Sequence, residues 1–367
     1  MSVVKSKIFS STDKSGKVLR RMQLGKGREK NLSYGGIKCV VIALLLNIIS
    51  ILPAHAEFSQ TLVIADTAID SSMTEFSNNI VHELCILDWP TCPNGENFME
   101  GKGSAKLPIN YISKNGFNHG TQMVSASVRT NPKIKIIFIR IIANSDYGLR
   151  LSSSDSTIAK VLDWVDRNED QYNIQAVAIS QGHHNLTSLS EYCPKSSAVD
   201  QLINKLTLKS IPFFAPTGNS GDKSRIDWPA CIPQVISVGA LNLDGSVSAY
   251  SNIDQRLDDY FELGTLKVLD ANGSERTSTG SSISVQIAAA KWMILRDTYS
   301  DYDFTKTKEV LDSQIEPKIT NSGERIKAIK TEASTQSFES ARAESLDQIR
   351  EIIRNLQNLV SKLMKLK

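Results

Sequence analysis

The chain has 367 residues and a formal net charge of +3. Ten Lys/Arg and two Asp/Glu lie in residues 1–38, so the 311 residues from Glu57 onward, with 32 Lys/Arg and 37 Asp/Glu, are net −5. The basicity belongs to the leading segment, which removes any case for nucleic-acid binding from net charge and leaves a length sufficient for one large domain plus a tail.

Residues 39–52 are uncharged and largely apolar, and Ala54-His55-Ala56 supplies a small-residue cleavage signal. Residues 1–56 therefore read as a signal peptide with a long basic region, with Met22 as an alternative start. The mature chain is expected to begin at Glu57 and to be secreted or periplasmic. Fourteen apolar residues are short for a bilayer, so stable membrane anchoring is not expected. Four cysteines follow: Cys85, Cys92, Cys193 and Cys231. An even number in an exported chain points to disulfides with three connectivities open. The favoured pairing is Cys85–Cys92 with Cys193–Cys231.

Residues 61–65 form a continuous β-rich apolar run, expected to be a strand buried on both faces and ending at Asp66. Residues 71–117 read as loop. His82-Glu83 has no second histidine at zinc-protease spacing, and no C-x-x-C or H-x-x-x-H pair exists, so no metal is expected. His119 opens a helical run, and residues 133–142 read as a second buried strand. Residues 155–166 are amphipathic, with Ile158, Val161, Leu162 and Val165 on one face behind capping Ser/Asp residues. A strand over 176–179 ends in Ser180-Gln181-Gly182, and His183-His184 reads as polar loop. A helix over 198–208, a strand over 211–215 ending in Pro216-Thr217-Gly218-Asn219-Ser220-Gly221, and a strand over 234–239 follow. This β-α alternation argues for a mainly parallel sheet covered by helices on both faces. Residues 300–335 turn polar, with Pro317 and Gly323, and read as a linker or loose extension. Leu346, Ile349, Ile353, Leu356, Val360 and Leu363 then trace a heptad seam, for packing or self-association.

Gly280-Ser281-Ser282 enters a helix of small and apolar residues. A serine there can simply cap the helix. It also sits beside unpaired backbone N–H groups, which favour the negative charge that an attacked carbonyl oxygen develops. Asp66 at a strand end, His119 at a helix start and Asn219 in a Gly-Asn turn precede it in that order. A histidine supplies a base near neutrality, a carboxylate orients it, and an amide donates to an oxyanion.

Together these four residues, with Asp66-Thr67-Ala68-Ile69-Asp70, His119-Gly120-Thr121, Gly218-Asn219, Pro229-Ala230 through Val238-Gly239-Ala240, and Gly280-Ser281-Ser282, resemble the subtilisin-like serine peptidases (subtilases, peptidase S8). The likeness spans roughly residues 61–293. It implies an α/β, three-layer subtilisin-like fold with a mainly parallel central sheet flanked by helices, over residues 57–310, followed by a linker and helical tail over 311–367. It also implies peptide-bond hydrolysis without a cofactor on protein or peptide substrates. Ser282 would be the nucleophile, His119 the base and Asp66 its orienting carboxylate, with Asn219 and the Ser282 N–H at the oxyanion. Ser180, Gln181 and Gly182 would pair with substrate backbone and border the primary pocket with Ala215 to Gly218. Ala68 replaces a glycine of the pattern, Ser281 a threonine, and Gln286 a proline, which predicts a softer start to the nucleophile helix. No folding pro-region is expected between Glu57 and the first strand. A catalytically silent peptide-binding or assembly module is the alternative.

Overall fold

The computed structural model describes residues 60–112, 116–145, 153–183, 193, 197–256, 259–320 and 323–330, with three further positions at 351, 354 and 355. The expected signal peptide, His184 and the heptad seam as a whole lie outside this set.

Twelve strands are described. They are β1 Thr61–Asp66, β2 Ile80–Ile86, β3 Phe98–Glu100, β4 Lys135–Arg140, β5 Ile174–Ile179, β6 Phe213–Pro216, β7 Ile236–Leu241, β8 Tyr260–Leu263, β9 Thr265–Leu269, β10 Glu275–Thr279, β11 Ile315–Ile319 and β12 Arg325–Ile329. Ten of them form one sheet in the order β11-β12-β8-β7-β6-β5-β1-β4-β2-β3, while β9 and β10 pair as a hairpin. Every interior pairing is parallel, and the antiparallel pairs β2/β3 and β11/β12 lie at the two edges. Five helices matter for the site: α1 His119–Thr130, α2 Asp155–Tyr172, α3 Ser197–Leu208, α4 Ser281–Thr298 and α5 Phe304–Ser313.

The sheet is covered on both faces, and β1 shows why its sequence is apolar throughout. Leu62 and Ile64 join Met123 of α1 and Ala289 and Trp292 of α4 in one cluster. Val63 and Ala65 join Val161 and Leu162 of α2 and Ile203 of α3 in the other. Alternate residues thus feed two cores, each buried side chain contributing about 1.5–3 kcal/mol. Strand order reverses around β1, between β4 and β5. The crevice at the carboxyl ends of β1 and β5 is where open α/β sheets build their sites.

Both expected disulfides are present, Cys85–Cys92 with Cα atoms 5.9 Å apart and Cys193–Cys231 with Cα atoms 5.7 Å apart. Among the described residues no helix is long and apolar enough to cross a membrane.

Three elements differ from expectation. Residues 71–117 contain β2 and β3, because His82 and Glu83 interrupt an apolar run that pairs in parallel with β4. Helix α2 continues past 166 to Tyr172, where Asn173 ends it in the left-handed conformation at φ 48°. The stretch from 311 to 330 is no linker. Its β11–β12 hairpin joins the main sheet through Lys327↔Tyr260 and Ala328↔Phe261, so the sheet crosses the expected boundary at 310. Pro317 is tolerated because β11 is an edge strand, and Gly323, at φ 94°, supplies the turn.

Candidate active site

Asp66 ends β1 and is fully buried. Its Oδ1 accepts from the Thr67 N–H at 2.6 Å and lies 2.8 Å from His119 Nδ1. That contact places the imidazole proton on Nδ1 and leaves Nε2 as the basic nitrogen. Thr67 sets the approach: its hydroxyl donates to the Phe117 carbonyl at 2.8 Å and accepts from the Gly120 N–H at 2.9 Å. Gly120 is required by this closeness, since a Cβ there would lie 2.4 Å from the Ala68 carbonyl oxygen and 2.7 Å from the Phe138 ring. The Asp-Thr and His-Gly pairs are therefore two sides of one contact. His119 keeps 24% of its side chain exposed, enough to meet a reactant.

Ser282 is the second residue of α4 and is half-buried. Gly280 before it has φ 151°, a conformation that favours glycine. The Ser282 hydroxyl donates to the Ser180 carbonyl at 3.3 Å, and the Ser180 hydroxyl donates back to the Ser282 carbonyl at 3.2 Å. Ser282 Oγ is not hydrogen-bonded to His119 in this structure. The two are nevertheless tied to adjacent residues of one strand end. Gln181 Nε2 donates to Asp66 Oδ2 at 3.2 Å and lies 3.3 Å from His119 Nδ1.

Asn219 faces the same turn. Its Oδ1 accepts from both the N–H and the hydroxyl of Ser281 at 2.9 Å, which leaves Nδ2 as its donor end. A Cβ built on Gly280 would lie 3.6 Å from Asn219 Nδ2 and 3.9 Å from the Ser282 nitrogen. Both expected oxyanion donors thus flank one small region.

A fully buried Asn252 holds the loop bearing Asn219. Its Oδ1 accepts from the Ser220 N–H at 3.1 Å, the Ser220 hydroxyl at 2.9 Å and the Asp222 N–H at 3.0 Å. Its Nδ2 donates to Asp227 at 3.1 Å. Gly218, at φ 107°, has no room for a side chain, because a Cβ would lie 2.4 Å from both Asn252 Nδ2 and Asp227 Oδ2. Gly182 borders the crevice and backs onto the Trp228 carbonyl, 2.5 Å from where a Cβ would stand.

One expectation about a pocket-lining residue changes. Ala215 is fully buried within the core shared with α2 and α3, so it supports the crevice wall from behind and offers no surface to a substrate. The Gln181 side chain turns to the Asp66–His119 pair. Near the start of α4, Gln286 is fully buried, donating to the Ser180 hydroxyl at 2.8 Å and accepting from the Ser127 hydroxyl at 2.9 Å.

Beneath the site, Lys291 Nζ of α4 lies 2.5 Å from Glu262 Oε2 of β8, both nearly inaccessible to water. Burial pushes the Glu262 carboxyl above its ordinary value, opposed by the Lys291 charge. On α1, Arg129 and Ser125 both bond Glu75, and the Arg129 hydrogen bonds hold that carboxyl below its ordinary value. Among the described residues no group of His, Cys, Asp and Glu is arranged to hold a metal ion. His82 instead meets Glu100 at 2.8 Å and stacks on Tyr172.

Asn252, Thr67 and Gln286 escaped assignment as functional residues because their partners lie far away in sequence. Thr67 stood in the Asp-Thr block and Gln286 departed from the proline of the family pattern, and these were the two signals in the sequence.

Residues 59–347 match the subtilase family, peptidase S8. Subtilisin Savinase of Lederbergia lenta is 27% identical over 161 residues, covering 42% of this chain and 54% of that protein. The alkaline protease of Shouchella clausii is 27% identical over the same length, 42% of this chain and 38% of that one. The chain thus spans about half the length, or less, of these curated relatives. A cold adapted subtilisin-like serine proteinase superposes with a TM-score of 0.57 at 18% identity, over 75% of this chain and 89% of that one. The nisin leader peptidase of Lactococcus lactis gives 0.54 at 17% identity, over 75% and 86%. These likenesses carry the fold, and the family match spans well over half of the sequence: the chain belongs to the subtilase family.

Proposed function

We propose that this chain is an exported serine endopeptidase that hydrolyses peptide bonds through an acyl-enzyme. The observation that carries the reading is the Asp66–His119 contact of 2.8 Å, with two donors flanking one point beside Ser282. Ser282 Oγ would turn from the Ser180 carbonyl to His119 Nε2, lose its proton there and attack the substrate carbonyl. Asp66 would hold the Nδ1 proton and stabilise the imidazolium; it would not take the proton itself. The developing oxyanion would be met by the Ser282 N–H and Asn219 Nδ2, a donor of this kind contributing about 10²–10³ in rate. His119 would then protonate the leaving amine, and water would release the acyl group by the reverse sequence. The strand end at Ser180–Gly182 would pair with the backbone of an extended protein or peptide segment.

The test is labelling of the mature protein with a fluorophosphonate, which bonds to an activated serine. Stoichiometric labelling that disappears in Ser282→Ala supports the assignment. Labelling that survives this change overturns it. The Ser282–Ser180 hydrogen bond favours a second reading, a catalytically silent peptide-binding subtilase. Native protein that neither labels nor cleaves an unfolded protein would establish that reading instead.

Export is supported by the apolar leader and by the two disulfides, which persist in oxidising compartments. N-terminal sequencing of exported protein should begin at Glu57. Self-association through the tail predicts that truncation after Lys330, beyond the last described strand, takes the mass found by light scattering from a multiple of the chain's mass to that of a single chain.

A further inference from the structure

We propose that Gln286 is a positioning residue for the nucleophile, holding Ser282 through Ser180. The proposal rests on the serine-peptidase reading above. Three buried side chains stand in series between the two helices of the site. Ser127, on the helix that His119 opens, donates to Gln286 Oε1 at 2.9 Å. Gln286, on the helix that Ser282 opens, donates through Nε2 to Ser180 Oγ at 2.8 Å. Ser180 then donates its own proton to the Ser282 carbonyl at 3.2 Å. Ser127 and Gln286 are fully buried and Ser180 is 5% exposed, so water does not compete for these bonds.

The direction of donation gives the series its meaning. A hydroxyl has one proton. Because the Gln286 amide fills an acceptor site on Ser180 Oγ, the Ser180 proton is left for the Ser282 carbonyl. That bond crosses from the β5 strand end to the first turn of α4 and fixes the position of the Ser282 backbone. The Ser180 carbonyl, which accepts from Ser282 Oγ, is held on the same residue. An amide side chain offers both the donor that Ser180 needs and the acceptor that Ser127 needs. A proline at 286 would offer neither. Without Gln286, the Ser180 hydroxyl would be released to rotate, and the Ser282 backbone would lose its one side-chain tether to the substrate strand. Gln286 also joins α1 to α4, so the base and the nucleophile are referred to one another through a hydrogen-bonded path that lies below the crevice.

The role differs from packing in what it should change. Gln286 is buried away from any substrate, so it should leave affinity alone and alter only the bond-forming step. Gln286→Met keeps the length of the side chain and removes both bonds. Ser127→Ala removes only the far donor. Fluorophosphonate labelling is resolved into the limiting rate of inactivation and the concentration giving half of that rate, each per correctly folded molecule by circular dichroism and disulfide content. Gln286→Met is expected to lower the limiting rate about tenfold, and Ser127→Ala by about threefold, with the half-saturating concentration unchanged. Unchanged limiting rates in both variants overturn the proposal, as does a rise in half-saturating concentration with no loss of rate. Should Gln286→Met fail to fold, Ser127→Ala decides alone. A wild-type protein that does not label refutes the peptidase reading and this proposal with it, whereas wild type and variants labelling equally fast refute only the role of Gln286.

Discussion

The two halves of the site are built by different means. Asp66 and His119 are joined by a direct contact at 2.8 Å, and the segments carrying them are held by the hydroxyl of Thr67, next to Asp66, and by the close approach of Gly120 to the Ala68 backbone. Ser282 and Asn219 are set by side chains reaching across the fold: Ser281, Ser180, Gln286 and Asn252. The acid–base half is therefore assembled as soon as β1 and α1 pack. The nucleophile half depends on buried polar groups being satisfied together, where one missing partner strands several others. Precision in the second half is a property of a network, and it is correspondingly easier to erode without unfolding the protein.

That contrast can be broken most severely from the first half. Asp66→Asn should leave the fold intact but invert the hydrogen-bonding demand on His119 Nδ1, lowering the limiting rate of fluorophosphonate labelling by about 10⁴. A smaller loss would mean that Gln181 and Thr67 orient the imidazole without the carboxylate. In the second half, Asn252→Ala removes an acceptor from three donors of residues 220 and 222 and a donor from Asp227. Hydrolysis of a peptide amide should fall by about 10² through misplacement of Asn219, with the NMR signal of the His119 ring unmoved. If the imidazole signal moves as well, the two halves are not separable.

The smallest expected effect concerns how α1 is held. Glu75 has an ordinary value of 4.5 and is lowered in the fold, chiefly by hydrogen bonds from Arg129. Below the ordinary value the unfolded chain begins to bind a proton that the folded chain still refuses. Stability from this group is thus complete above about pH 4.5 and is lost as pH falls through the lower folded value. Glu75→Gln should lower the urea midpoint at pH 7 and narrow the gap from wild type as the solution is acidified. A gap that stays constant with pH would show that Glu75 acts by shape alone.

Much of this architecture was legible in the sequence, for a physical reason. β1, β5, β6 and β7 are buried on both faces and write continuous apolar runs, and α2 writes a periodic stripe over Ile158, Val161, Leu162 and Val165. The edge elements were not legible. β2 mixes a half-buried His82 and a buried Glu83 into its apolar run, and β11 and β12 alternate Glu316, Lys318, Arg325 and Lys327 with apolar residues, as strands at a sheet margin can. Asp66, His119, Asn219 and Ser282 stood out because each sits in a short motif with a glycine or threonine that the close approach of the site's segments or the turn itself requires. Asn252 sits in no such motif. Its importance arises from four partners that the fold brings to it, and no window of sequence contains them.

The margin at β12 also carries a mechanical connection. Lys291, midway along the nucleophile helix, donates to the Lys330 carbonyl at 3.3 Å as well as to Glu262. Tension applied at Lys330 would therefore reach α4, the helix that begins beside Ser282, through this ammonium as well as through the sheet.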